Sequence, residues 1–204
     1  MKEAVWSLVG LIGGFALSTI WWYAVSHVWA PRLGFSDKIS VLPDATSRST
    51  YRVKVMNTGK RGVIDLSVDT RICYPGVSVY PGLDVPTIMF PLRVPVPNAK
   101  AMRLGPGEAW FFRLRMDELL EPDNSDTKAI LATLYPVEAQ RQGLTFEAML
   151  KRSEGAYLQL RVLCYDQWSG ARKYYESQPY KITDIVHGRF DGLEVVPFSA
   201  DAGS

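Results

Sequence analysis

Cysteine and histidine are scarce in this chain of 204 residues, with two of each. Two cysteines exclude a zinc site built from cysteine pairs and exclude a disulfide-rich scaffold. His27 and His187 have no partner at metal-ligand spacing. An excess of charge is missing as well. The 23 basic residues meet 21 acidic ones for a net charge of +2, with no Lys/Arg run, so nothing points to nucleic acid. No internal repeat or low-complexity tract occurs. No acid–base pair, nucleophile constellation or phosphate loop stands out, so neither a catalytic residue nor a cofactor or metal site is expected. What remains, 47% hydrophobic and 22% charged, is the composition of a folded protein.

The longest local absence is of charge. Residues 4–31, AVWSLVGLIGGFALSTIWWYAVSHVWAP, contain no Asp, Glu, Lys or Arg. About 20 apolar residues suffice to cross a bilayer as a helix. Trp6 stands near one end and Trp21, Trp22, Tyr23 and Trp29 crowd the other, as in the aromatic belts of a spanning helix. A core helix would show a polar face, and this one barely does. A cleaved signal peptide has a shorter apolar stretch, and the best cleavage site here, after Ala30, is followed by Pro31. A retained single anchor over residues 1–31 is therefore expected, with the lipid bilayer as partner. Arg32, Lys38 and Arg48 follow the helix, whereas Lys2 precedes it and is offset by Glu3. The positive-inside rule then puts the C-terminal domain in the cytoplasm, at an inner or plasma membrane of bacterial type. Arg32 and Lys38 are expected at the membrane interface together with the aromatic residues. Gly10, Gly14 and Ser18 recur at intervals of four, a small-residue face that lets helices approach closely and points to self-association.

After Pro31 the period becomes two. Tyr51, Val53 and Val55 alternate with Arg52 and Lys54. Ile64, Leu66, Val68 and Ile72 alternate with Asp65, Ser67, Asp69 and Arg71. Trp110, Phe112, Leu114 and Met116 alternate with Arg113 and Arg115. Leu158, Leu160 and Val162 alternate with Gln159 and Arg161. Such alternation predicts antiparallel strands with one wet and one buried face, and two sheets of this kind pack as a sandwich. The joins NTGKRG and LGPGE hold the turn formers that hairpins need. Residues 75–100 carry six of the thirteen prolines and read as loop and edge strand. Alternation is lost over residues 117–152. There SDTKAILATLYP could form a short helical or extended segment, and TFEAMLKR reads as a short helix capped by Thr145. The expected organisation is an anchor over 1–31, a linker and first strand over 32–49, a β-sandwich over 50–198 and a disordered tail over 199–204.

Residues 164–175, CYDQWSGARKYY, place a cysteine, an aspartate, a tryptophan and a serine within six positions. By parity Cys164 follows Leu158, Leu160 and Val162 inward, and no histidine lies within twenty residues of it. The stretch predicts a hairpin with Ser-Gly in its turn and KYYESQPY as the return strand, and gives nucleophilic catalysis little support. Cys73 shares the parity of Asp69 and Arg71 on the wet face, so a bridge to Cys164 is not expected. Free thiols suit the cytoplasm.

Three segments resemble the cytoplasmic domain of inward-rectifier potassium channels, an immunoglobulin-like sandwich. They are YRVKVMNTGKRGVIDLSVDTRI, YPVEAQRQGLTFEAML and VLCYDQWSGARKYYESQPYKITDIVHGRF. Together they span most of residues 50–192. The likeness lies in paired strands, a short helix, a turn, a return strand with Tyr, an Asp-Ile pair and an Arg-Phe pair. It implies a mainly β, immunoglobulin-like antiparallel β-sandwich behind a transmembrane helix, able to pack against copies of itself. The chain departs from the channels in having one membrane helix and no Gly-Tyr-Gly-like filter. The expected function is a non-catalytic binding or assembly module tethered at the membrane, acting on a protein partner or on itself. The alternative is an accessory ion-channel subunit or a pore-forming oligomer gated by its β domain.

Overall fold

The computed structural model describes residues 2–25, 29–43, 49–74, 92–94, 96–117, 144–152 and 154–198. His27, Arg48, most of the proline-rich stretch, the segment 125–136 and the tail 199–204 lie outside the described residues. The uncharged run forms α1 (Lys2–Tyr23). From Val5 to Tyr23 it is long and apolar enough to cross a membrane, and no part of that stretch is buried against the chain. A helix satisfies its backbone internally, as an apolar surrounding requires, and the Thr19 hydroxyl follows suit by donating to the Phe15 carbonyl at 2.9 Å.

The remainder is mainly β, in two sheets. The strands are β1 (Leu33–Phe35), β2 (Ile39–Pro43), β3 (Ser49–Asn57), β4 (Val63–Cys73), β5 (Leu92–Arg93), β6 (Lys100–Leu104), β7 (Ala109–Leu114), β8 (Tyr157–Asp166), β9 (Arg172–Glu176), β10 (Ile185–Asp191) and β11 (Glu194–Pro197). In the first sheet β3 is flanked by β7 on one edge and by β1 and β2, in line, on the other; β10 and β11 continue beyond β2. In the second, β4 holds β5 and β6 on one edge and β8, then β9, on the other. Inward residues from both sheets join in one core, among them Val53, Val55 and Phe112 from the first and Ile72, Leu158 and Leu160 from the second. The short helix α2 (Phe146–Arg152) adds Phe146, Met149 and Leu150 to that core. Thr145 caps it as expected, its hydroxyl accepting from the Ala148 N–H at 3.1 Å.

Several expectations are corrected. The sheets are not wholly antiparallel: β2 and β10 run parallel, with Ile39 opposite Ile185 and Val41 opposite His187. Most of the chain separates these strands, which leaves ample length for the crossover that a parallel pair needs. NTGKRG and LGPGE are not hairpins. The first carries the chain from β3 in one sheet to β4 in the other, and the second returns it from β6 to β7. Residues 32–49 contain two strands, β1 and β2, and Ile39 and Val41 are buried. The alternation in β4 slips at a bulge between Ile64 and Ser67, where Asp65 adopts φ +51°. Aspartate tolerates that left-handed region better than most residues. The slip buries Val63 beside Leu66 and leaves Ile64, expected inside, only half-buried. Trp110 shares a row with buried Val55 but stays exposed, because β7 is the outermost described strand on its side of the first sheet. Cys73 is buried instead of wet, yet it stands apart from the core that holds Cys164. Both thiols are free.

Candidate functional site

The hairpin of β8 and β9 settles what surrounds Cys164. Its strands pair from Arg161–Glu176 to Tyr165–Arg172, and the turn lies between. Cys164 is fully buried in the core, and burial, then the charge of Asp166, push its thiol up to about 11. A thiol of that kind is held protonated, the reverse of an activated nucleophile. Asp166 serves the turn instead. Its carboxylate accepts from the Trp168 N–H at 3.0 Å and the Ser169 hydroxyl at 2.9 Å, while its backbone closes the turn through Gly170 and Ala171. His187, the one histidine among the described residues, lies exposed on β10 in the other sheet.

Among the described residues, an elaborate side-chain arrangement lies where α1 meets the β domain. Two corners are tied there by Asn57. Its amide donates to the Arg61 carbonyl at 2.7 Å and the Leu104 carbonyl at 3.1 Å, and its own carbonyl accepts from the Gly107 N–H at 2.8 Å. The chain leaving α1 crosses the first corner so closely that a Cβ on Gly59 would lie 2.3 Å from the Arg32 nitrogen, so only glycine fits. The Arg32 carbonyl accepts from the N–H groups of Thr58 and Gly59 at 2.8 and 3.2 Å. The Pro31 carbonyl accepts from the Tyr175 hydroxyl at 2.6 Å. Burial, with the nearby Cys164 and Asp166, pushes that phenol up to about 12, so it remains a donor.

Arg61 joins three elements at this corner. Its Nε donates to the Trp29 carbonyl at 2.5 Å, and its Nη1 pairs with the buried Asp166 at 3.0 Å. Its guanidinium carbon lies 4.9 Å from the centre of the Trp168 ring, within cation–π range. Trp29 also meets Trp21 edge to face at 5.4 Å. Trp21, Val25, Trp29, Lys60, Arg61 and Trp168 line a cleft of about 420 Å³. Among the described residues its walls are largely indole, and its cations are Lys60 and the partly neutralised Arg61.

Of the residues singled out from sequence, Trp21 and Trp29 enter this cleft. Trp22 and Tyr23 stand exposed beside it at the end of α1, and Trp6 is exposed near the other end. The Arg32 side chain is exposed at the corner. Lys38 lies further along the sheet, between the levels of the Phe35–Val55 and Ser40–Arg52 pairs. Gly10, Gly14 and Ser18 are open, with nothing near the positions where side chains would begin on the two glycines. Sequence reasoning missed Lys60, Arg61 and Trp168 as members of a site. The only trace was a tryptophan in a tight turn and two cations in a corner, features that ordinary surface loops share.

A second cluster lies on the outer face of the first sheet, where the Arg52 guanidinium sits 5.8 Å from the Phe111 ring centre and 5.5 Å from that of Phe190. Among the described residues no group of three or more His, Cys, Asp or Glu side chains converges as a metal site. The chain matches no protein-family model and none of the curated proteins with which it was compared.

Proposed function

We propose that this protein is a single-pass membrane protein whose β domain is a non-catalytic binding or assembly module on the cytoplasmic face. The observation that carries the reading is α1 itself. Phe15, Leu11 and Leu17 are 76%, 71% and 70% exposed, as are their neighbours in comparable degree around the helix. So large a continuous apolar surface is not left in water and calls for a bilayer or partner helices. The exposed Arg32 and Lys60 put positive charge at the domain end of the helix, which favours retention of that end in the cytoplasm. The two-sheet core agrees with the immunoglobulin-like sandwich implied by the likeness to inward-rectifier cytoplasmic domains. The parallel β2–β10 pair is a departure from a purely antiparallel version.

Alkaline-carbonate extraction tests the anchor, because an integral protein stays with the membrane pellet. Reporters fused after Ser204 test the orientation. A fluorescent protein there is expected to be bright and an export-dependent phosphatase inactive; the reverse pair places the domain on the other side. The open Gly10–Gly14–Ser18 face favours self-association of the helices. The channel or pore reading adds conduction to that association and predicts ion leakage on overexpression.

A further inference from the structure

We propose that the outer face of the first sheet is a docking site for an extended, acidic segment of a protein partner, whose carboxylates pair with Arg52, Lys54 and Arg113. The proposal rests on the reading of the β domain as a binding module and gives that module a surface and its partner a chemistry. Uncompensated charge is the first support. Arg52 and Arg113 stand directly opposite each other on β3 and β7, with Cβ atoms about 5 Å apart, where like charges repel. Lys54 follows two residues along on the same face, opposite Phe111. None of the three has a carboxylate partner among the described residues, whereas Arg61, Arg71, Lys151 and Arg161 are each paired at 3.0 Å or less. The Arg52 Nε is buried without an acceptor among the described residues. Burial, then the charge of Arg113, lower the pKa of this guanidinium. Asp191 and Glu194 of the β10–β11 hairpin face each other at its end and pair with none of these cations.

Preorganisation is the second support. The Phe111 and Phe190 rings lie 5.5 Å apart and Arg52 packs against both, while the Lys54 ammonium lies 5.7 Å from the Phe111 ring centre. Asn98 holds the β7 backbone at Phe111 and Arg113. Cations placed in advance lose less freedom when a ligand arrives, and with Phe111 42% exposed the face is open to one. Spacing is the third support. Side chains at i and i+2 of a strand lie about 7 Å apart on one face, so Arg52 and Lys54 match acidic residues at alternate positions of an extended chain. Guanidinium groups bind carboxylates through paired N–H donors. A net charge of only +2 gives a nucleic acid little long-range attraction. Arg52 also lies five residues along β3 from Asn57, about 17 Å, which sets the face apart from the corner that joins α1.

The test uses the full chain in detergent and reads the fluorescence anisotropy of a labelled peptide in which Glu and Ser alternate. A peptide with Gln in place of Glu and one with the same number of Glu at every third position serve as controls. The native protein is expected to bind the alternating acidic peptide in preference to both controls, and more weakly as salt rises. Arg113→Gln and Lys54→Gln should each weaken binding about tenfold or more, as loss of a charged hydrogen bond does. Arg172→Gln, the same change at an exposed position of the second sheet, should leave it within about twofold. Circular dichroism unchanged from the native spectrum confirms that each variant is folded. Equal loss in Arg172→Gln, or none in Arg113→Gln and Lys54→Gln, overturns the site, and equal binding of the third-position peptide overturns the extended register. Without peptide binding, an oligonucleotide or anionic vesicles held through Arg113 assign the cations to phosphate, and self-association abolished by Arg113→Gln assigns the face to a second copy; either overturns the acidic partner. A native chain that binds no peptide but retains a partner from a membrane extract, as does Arg113→Gln, overturns this site and leaves the binding-module reading standing. A native chain that binds no peptide and retains nothing removes both.

Discussion

At the scale of the residue, the two side chains that look most chemical are occupied with packing and bracing. Cys164 fills core space opposite the bulge of β4. Cys164→Ala is expected to cost about 1–2 kcal/mol, as for a small buried side chain, with binding or assembly unchanged; chemical denaturation followed by tryptophan emission measures the cost. Neither thiol should react with an aromatic disulfide reagent in the native protein, and both should react on unfolding. Arg61 is the more consequential residue. Its loss leaves the Asp166 carboxylate buried without its cation and frees the Trp29 carbonyl. Breaking a buried pair from one side costs on the order of 3 kcal/mol, so Arg61→Ala should lower the midpoint of denaturation far more than Lys60→Ala, whose side chain is exposed. Equal midpoints for the two variants would show that the pairing of Arg61 with Asp166 carries little weight.

At the scale of the element, α2 is fastened to the first sheet through Glu147. The Tyr51 hydroxyl donates to this carboxylate, and Lys151 pairs with it at 2.7 Å. Burial opposes ionisation of Glu147, but the hydrogen bonds from Lys151 and Tyr51 outweigh it and hold the carboxyl below its ordinary value of 4.5. A depressed carboxyl contributes stability that is present above the unfolded value and lost as pH falls through the lower folded one. Acid unfolding should therefore steepen below about pH 4.5, and Glu147→Gln should remove part of that slope while lowering stability at neutral pH. A thermal melt series across pH reads both effects. Asn98 plays a different part at the edge of β7. Its side chain donates to the Phe111 carbonyl at 2.5 Å and accepts from the Arg113 N–H at 2.9 Å, as a neighbouring strand would. Free strand edges invite pairing between chains. Asn98→Ala is expected to raise concentration-dependent association, seen as light scattering, with little change in the circular dichroism of the dilute protein.

At the scale of the whole molecule, α1 takes no part in the packing that holds the β domain together. The core is formed by residues of the β domain, and no residue of the Val5–Tyr23 stretch is buried. A chain beginning at Arg32 should therefore be soluble and give a mostly β circular dichroism spectrum. It gives up the Trp29 and Pro31 contacts and keeps both sheets. A helix-dominated spectrum or an insoluble product would show that α1 contributes to folding of the domain.

The sequence by itself determined what depends on near neighbours. The uncharged run became α1. Period-two alternation marked β3, β4, β7 and β8, Thr145 capped α2, and the Ser-Gly turn after Asp166 closed a hairpin. Each of these follows from composition, periodicity or hydrogen bonds spanning a few residues. Tertiary structure decided everything that required a partner from afar. NTGKRG carries turn formers whether it joins two strands of one sheet or passes between sheets. Parity gave Ile64 and Cys73 a side, but the bulge at Asp65 left the first only half-buried, and packing buried the second. β2 found β10 across most of the chain, and the cleft assembled Trp21, Arg61 and Trp168 from three separate segments. Local patterning tells a side chain whether to seek water or other side chains. The neighbour it meets there is chosen only when distant strands close on one another, and that choice has no period to be read.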